Sequence, residues 1–372
     1  MSTETIAPVG RLEVLDGFRG VACLAVVGYH YFSRWTIPLN PTNLYPYGDV
    51  LARLPCFRYG YLGVNLFFLV SGFVISLTLM RCGTWREFVV RRAARLIPAM
   101  VLAASATFVV IRLLPPHFWT VTLQDFLPSL TFTDPFVYKK LIGLDTNFMD
   151  GAYWSLFVEV RFYAWAALLY FAAKPGTFLR NSAVVMNVSI AVLLLKNLAP
   201  DLPHLMAADL LLFPEYAPWL FAGVALFFIW RDKSNWLAWS VVVESLLTVI
   251  GKSIVDARGL EWALIIGIYA LFIAFSMGSN TLRVFGVRWL TRAGAASYTL
   301  YLLHQEIGVT VIGALSGAAD MTGPRSAMIA VFVVIGLAFA SVMIYEYYEV
   351  PARRQFVRRA NRLFAPAGVV AP

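Results

Sequence analysis

The first residues in the chain that could do chemistry together are Arg19 and His30, in LDGFRGVACLAVVGYH at 15–30. They are eleven positions apart, which at ~100° per residue is about three helical turns, so both side chains fall on one helix face. At a rise of ~1.5 Å per residue they lie roughly 16 Å apart along the axis. An imidazole can take a proton from a hydroxyl near neutral pH, and a guanidinium can hold an anion. Both sit in a run apolar enough to enter a membrane, where ionisable side chains are costly and mark functional candidates. Taken alone, His30 reads as a helix-end histidine bonded to a neighbouring carbonyl. With Arg19 on the same face, the balance moves toward function.

Four other constellations carry polar chemistry. In RRAARLIP at 91–98, Arg92 and Arg95 are three apart and therefore neighbours on a helix surface. Two guanidinium forks suit phosphate, although on spacing alone the same residues read first as a positive-inside anchor. In YWSLFVEVRFY at 153–163, Glu159 and Arg161 stand inside an aromatic run. Glu159 lies at a depth like that of His30, where a carboxylate would orient the imidazole and raise its basicity. A structural ion pair with another helix is the competing reading. In SYTLYLLH at 297–304, Tyr298 and Tyr301 are three apart, and Ser297, Tyr301 and His304 share another stripe. These groups either line a cavity or bond helices together. In YEYYEVP at 345–351, Glu346 and Glu349 read as charge partners at the inner end of the last span.

The remaining reactive residues are more scattered. His117 and His204 have no spaced partner and read as surface or interfacial. Cys23, Cys56 and Cys82 fall in different compartments, so no disulfide is expected, and a Cys56 acyl-enzyme is the weaker alternative to His30. No zinc set, P-loop, dinucleotide fingerprint or GxSxG elbow is present, and no metal site is expected.

The elements that must position these groups follow from composition. The chain is 60% apolar and 14% charged, whereas a soluble domain is nearer a quarter charged. The expected fold is all-α, a polytopic transmembrane helical bundle. About ten spans are expected, near 17–33, 62–80, 96–114, 153–173, 182–198, 216–230, 236–253, 262–278, 294–316 and 327–348. Segments 115–152 and 204–215 hold interfacial or re-entrant pieces. Gly60, Gly63 and the SGF at 71–73 allow close helix packing. The net charge of +9 comes from basic residues in short loops, which signals topology rather than nucleic acid. Nineteen of the thirty Lys and Arg residues fall on the inner side if the N-terminus is inside, so both termini are expected in the cytoplasm. No cleavable signal peptide is expected, and the first helix reads as a retained anchor. A single domain over 1–372 is expected, with a cytoplasmic segment at 1–14 and a basic cytoplasmic tail at 352–372.

Taken in order, the motifs resemble the acyltransferase-3 family of bacterial integral membrane O-acyltransferases. The resemblance covers nearly the whole chain and rests on LDGFRG with the Arg19–His30 spacing, GYLGVNLFFLVSGF at 60–73, RAAR at 92–95 followed by Pro98, WSLFVE at 154–159, SYTLYLLH and YEYYEVP. It implies a multi-pass protein of the bacterial inner membrane, with acyl-CoA, commonly acetyl-CoA, as donor substrate and no tightly bound cofactor. The acceptor it implies is a hydroxyl of a glycan or glycolipid, such as exopolysaccharide, lipopolysaccharide or a lipochitin oligosaccharide. A small natural product such as a macrolide is the alternative acceptor. His30 matches the family's catalytic histidine, and Arg19, Arg92 and Arg95 match arginines that serve the donor. Glu159 is expected to orient His30, and Tyr298 or Ser297 to stabilise an oxyanion. Many members carry a fused esterase-like domain, and this chain resembles those without one. From a different class, a proton-coupled transporter or flippase also uses intramembrane His, Arg and Glu, but the paired halves of such proteins are not seen here.

Overall fold

The computed structural model describes residues 9–36, 44–49, 51–199, 205–319 and 323–363, with side chains from residue 13 onward. Arg11, Pro38, Pro41, Asp201, His204 and the tail past residue 363 fall outside the described side chains. Among the described residues the fold is all-helical. The first half holds α1 (Val9–Phe32), α2 (Pro55–Arg58), α3 (Leu62–Leu79), α4 (Trp85–Leu113), α5 (Phe126–Thr131), α6 (Pro135–Ile142) and α7 (Trp154–Phe171). There follow α8 (Phe178–Leu198), α9 (Leu205–Leu212), α10 (Ala217–Arg231), α11 (Trp236–Val255) and α12 (Glu261–Met277). The last are α13 (Arg288–Ala295), α14 (Ser297–Leu303), α15 (Glu306–Ala318), α16 (Ala327–Ile344) and α17 (Val350–Leu363).

Each expected span lies in helix, but the ten are not alike. Among the described residues, six helices are long and apolar enough to cross a membrane: 62–79, 85–113, 178–198, 205–231, 236–255 and 324–363. The others differ for physical reasons. Helix α1 carries Asp16, Arg19 and His30, and α7 carries Glu159 and Arg161. Helix α12 is a shorter apolar helix, and the run at 294–316 is broken at His304 and Gln305 into α14 and α15. The protein is thus membrane-embedded and multi-pass.

The chain forms two compact units, each drawn from three separate stretches. The first takes residues 1–26, 55–81 and 155–294; the second takes 27–54, 82–154 and 295–372. In the first unit α10 is buried almost throughout and packs on α3, α8, α11 and α12. Small residues let the backbones meet. A Cβ at Gly72 would come within 2.0 Å of the Leu220 carbonyl oxygen, and one at Gly223 within 2.2 Å of that of Leu69. Gly63 lies equally close to Ala22. Without a hydrophobic drive between helices in lipid, such close packing is what holds them together. Phe18 of α1 packs among the rings of Phe272, Phe275 and Phe285.

In the second unit α4 is the long element, started by Thr84, whose side chain accepts the Glu87 N–H at 3.2 Å. Helices α14, α15 and α17 pack against it, and α16 packs against α14 and α15. Helix α16 passes into α17 through a π-helical turn at Tyr345–Glu349. Turns of this kind are frequent at functional sites.

Candidate active site

The second unit brings His30 to His304. His30 stands in the last turn of α1, partly exposed, while His304 lies at the C-terminal end of α14 with no exposure. His304 Nε2 is 3.1 Å from His30 Nδ1, and His304 Nδ1 is 2.7 Å from the Tyr301 carbonyl oxygen. These contacts fix the protons on two neutral rings. A carbonyl only accepts, so His304 Nδ1 carries its hydrogen and donates to Tyr301. Its Nε2 is then an acceptor, so His30 Nδ1–H donates to it. The lone pair of His30 is left on Nε2. This is the orienting arrangement of a catalytic triad with a neutral imidazole in place of the carboxylate.

The dyad is held by groups that satisfy helix ends. The last carbonyls of α1 have no partner within the helix. Tyr45 donates its hydroxyl to the His30 carbonyl and Tyr47 donates to that of Tyr31. The two phenols stack with centroids 5.1 Å apart. Tyr31 in turn donates to the His304 carbonyl at 2.8 Å. This approach depends on Gly308, where a Cβ would fall within 1.7 Å of the Tyr31 hydroxyl.

The break after His304 is closed by two buried acids. Asp150 is fully buried, and its two carboxylate oxygens accept from Ala152 N–H at 2.8 Å and Glu306 N–H at 2.9 Å. Glu306 accepts from Gly151 N–H at 2.9 Å. Each acid therefore caps the other's helical turn. Tyr301 donates to the Ala152 carbonyl, and Tyr153 donates to that of Leu302. Burial pushes the Asp150 carboxyl up to about 7, against the pull of its two N–H donors.

The donor-side candidates divide between the units. Arg92 and Arg95 stand half-buried on α4, with the Arg92 guanidinium 5.7 Å from the Phe88 ring centroid. Tyr298, at the other end of α14 from His304, donates to the Leu96 carbonyl at 3.0 Å, one residue past Arg95. Thr299 donates to buried Glu349 at 2.8 Å. His304 and Tyr298 are six residues apart on or beside α14, roughly 9 Å along its axis. One short helix thus joins the dyad to the arginine pair. Arg19 belongs to the first unit, 3.6 Å from Asp16, on the helix that carries His30.

Three of the expected residues have contacts of their own. Glu159 lies in the first unit, where it accepts from the Ser71 hydroxyl. The acceptor on His30 Nδ1 is His304, which the SYTLYLLH motif offered only as one polar group among several. The Tyr298 hydroxyl proton is directed at Leu96, so it serves an oxyanion only by leaving that bond. Arg161 donates to the carbonyls of Phe157 and Leu210. Tyr45, Tyr47, Asp150 and Glu306 gave no spacing signal, because each acts on a backbone group distant in sequence.

A family model described as an acyltransferase domain matches residues 12–346. The chain is similar to the peptidoglycan O-acetyltransferase OatA of Listeria monocytogenes, 22% identical over 332 residues, covering 79% of this chain and 49% of that protein. It is also similar to the O-acetyltransferase OatA of Staphylococcus aureus strain NCTC 8325, 21% identical over 386 residues, covering 92% of this chain and 57% of that protein. The chain thus spans about half the length of these curated relatives. No solved structure matches. A match of this extent, with His30, Arg19 and the RAAR, WSLFVE and SYTLYLLH motifs all inside it, means that the chain belongs to the acyltransferase-3 family of membrane O-acyltransferases.

Proposed function

We propose that the protein moves an acyl group, by default acetyl, from acyl-CoA on the cytoplasmic side of the bacterial plasma membrane to a hydroxyl of a glycan. The observation that carries this reading is the His30–His304 dyad, a base with its lone pair defined at the end of a charged helix. His30 Nε2 takes the proton of the acceptor hydroxyl as its oxygen attacks the thioester carbonyl. The tetrahedral intermediate collapses, the C–S bond breaks, and the CoA thiolate recovers the proton from His30. The positive charge that passes through His30 is stabilised by the acceptor nitrogen of His304.

Arg19, Arg92 and Arg95 hold the phosphates of the donor in this reading. An extended pantetheine arm of roughly 15–20 Å would span a distance like the Arg19–His30 rise along α1. Tyr298 stays the candidate for the oxyanion, on condition that it exchanges Leu96 for the developing charge. No step is routed through Glu159. The names of the relatives favour a cell-wall glycan as acceptor. With both termini in the cytoplasm, the His30 end of α1 faces away from the donor pool.

The experiment compares surface glycans of a deletion strain with those of the strain complemented by wild type or by His30→Ala. Wild type should restore a mass shift of one acyl group on a sugar, and His30→Ala should not. Full restoration by a folded His30→Ala protein overturns the assignment. A shift confined to a secreted small molecule would point to the macrolide-type acceptor instead.

A further inference from the structure

Five positions beyond His30 stands Trp35, tied back to the base through one phenol. The Trp35 backbone N–H donates to the Tyr45 hydroxyl at 3.2 Å, and that hydroxyl donates to the His30 backbone carbonyl. The Trp119 ring meets Trp35 with centroids 5.8 Å apart and planes at 70°, and Phe118 meets Trp119 edge-on at 5.6 Å. The stretch carrying Phe118 and Trp119 is seated on α15 at Gly313. A Cβ there would lie 2.9 Å from Pro116 and 3.1 Å from Phe118. Helix α15 is the one that begins beside His304. Both indoles are therefore located by the elements that locate the dyad.

Both indoles are partly exposed. The Arg34 guanidinium lies 4.9 Å from the Trp35 ring centroid, and it too is partly exposed. Trp35 Nε1–H has no acceptor among the described residues. Nothing in the proton transfer uses these groups. A tryptophan that merely marked a membrane interface would not need a second indole set across it.

We propose that the corner formed by Trp35 and Trp119 is the acceptor subsite and that it takes a pyranose ring. This rests on the O-acyltransferase reading above. A pyranose offers a face of axial C–H hydrogens, which carry partial positive charge and suit the negative face of an indole. Its rim of hydroxyls meets the donors of Arg34 and, on a small tilt of the ring, Trp35 Nε1–H. The two planes at 70° stack one face of the sugar and close one edge. One ring hydroxyl is then presented to His30. A linear polyol has the hydroxyls without the face.

The test uses the full-length protein in detergent with an N-acetylglucosamine tetrasaccharide and no acyl-CoA. Equilibrium dialysis should give a Kd raised roughly tenfold by Trp35→Ala or Trp119→Ala, the size of one lost stacking contact. Trp35→Phe and Trp119→Phe keep an aromatic face and should lose at most a few-fold. Trp165→Phe, in the other unit, should not change binding. Sorbitol should compete poorly in every protein. Wild-type binding that is absent, insensitive to both alanine variants in folded protein, or matched by sorbitol overturns the subsite. A second run adds acetyl-CoA, and tryptophan-dependent binding with no acyl transfer in it would instead overturn the O-acyltransferase reading and leave the subsite standing.

Discussion

At the scale of single residues, His304 decides which nitrogen of His30 is basic. Its own tautomer is set by the Tyr301 carbonyl at 2.7 Å, and through Nε2 it sets that of His30. His304→Ala removes the acceptor for His30 Nδ1–H and lets the ring take the wrong tautomer. The expected loss in kcat is about 10²-fold, the lower end of what a positioned base contributes, with the KM for acyl-CoA little changed. His304→Gln can still accept through its amide oxygen and should recover part of the rate. Equal activity for His304→Ala and wild type would sink the dyad. The proposed base was visible in the sequence as a candidate, because His30 and Arg19 share one helix and helix geometry needs no other information. Its partner was legible only as a residue type. A contact over 273 intervening positions depends on which helices pack, which spacing along one helix does not encode.

At the scale of elements, the site rests on a helix that stops and restarts. The sequence shows one apolar run at 294–316, and periodicity gives no sign of a break there. The break exists because Asp150 supplies the acceptor that Glu306 N–H lacks, and Glu306 returns the service to Gly151. The consequence is a pH dependence. Asp150 in the folded chain holds its proton up to about 7, whereas its ordinary value is 3.8. The folded state thus binds a proton that the unfolded chain releases, and stability linked to Asp150 is fully present below about 3.8 and falls as pH rises toward 7. Asp150→Asn cannot ionise, so its thermal midpoint should be lower at acid pH, through the mismatched N–H contacts, yet should fall less between about pH 4 and pH 7. Groups distant from Asp150 cancel in that difference, while Glu306, which exchanges capping bonds with this turn, titrates together with Asp150 and is reported with it. Parallel midpoint curves for the two proteins would show that Asp150 is ionised throughout.

At the scale of the whole molecule, the all-helical class and the approximate place of the long apolar helices followed from apolar run length, whereas the short α2 and α6 and the basic α17 lie outside the expected spans. The membrane-crossing character of particular helices did not follow from it, because α1 and α7 give up hydropathy to the ionisable residues Asp16, Arg19, His30, Glu159 and Arg161 that they carry. The same trade makes sidedness the deciding property of the proposal: the acceptor end of α1 and the donor arginines must face different compartments. The cysteines supply a native reporter. Cys56, in α2, is exposed, whereas Cys23 and Cys82 are buried. If both termini are cytoplasmic, Cys56 lies outside, on the side of the His30 end of α1. A membrane-impermeant maleimide applied to intact spheroplasts should then label the protein once, and Cys56→Ser should abolish the labelling. Labelling that appears only after permeabilisation would reverse the orientation. It would put His30 on the side of the cytoplasmic acyl-CoA and leave Arg19, Arg92 and Arg95 without the donor they are proposed to hold.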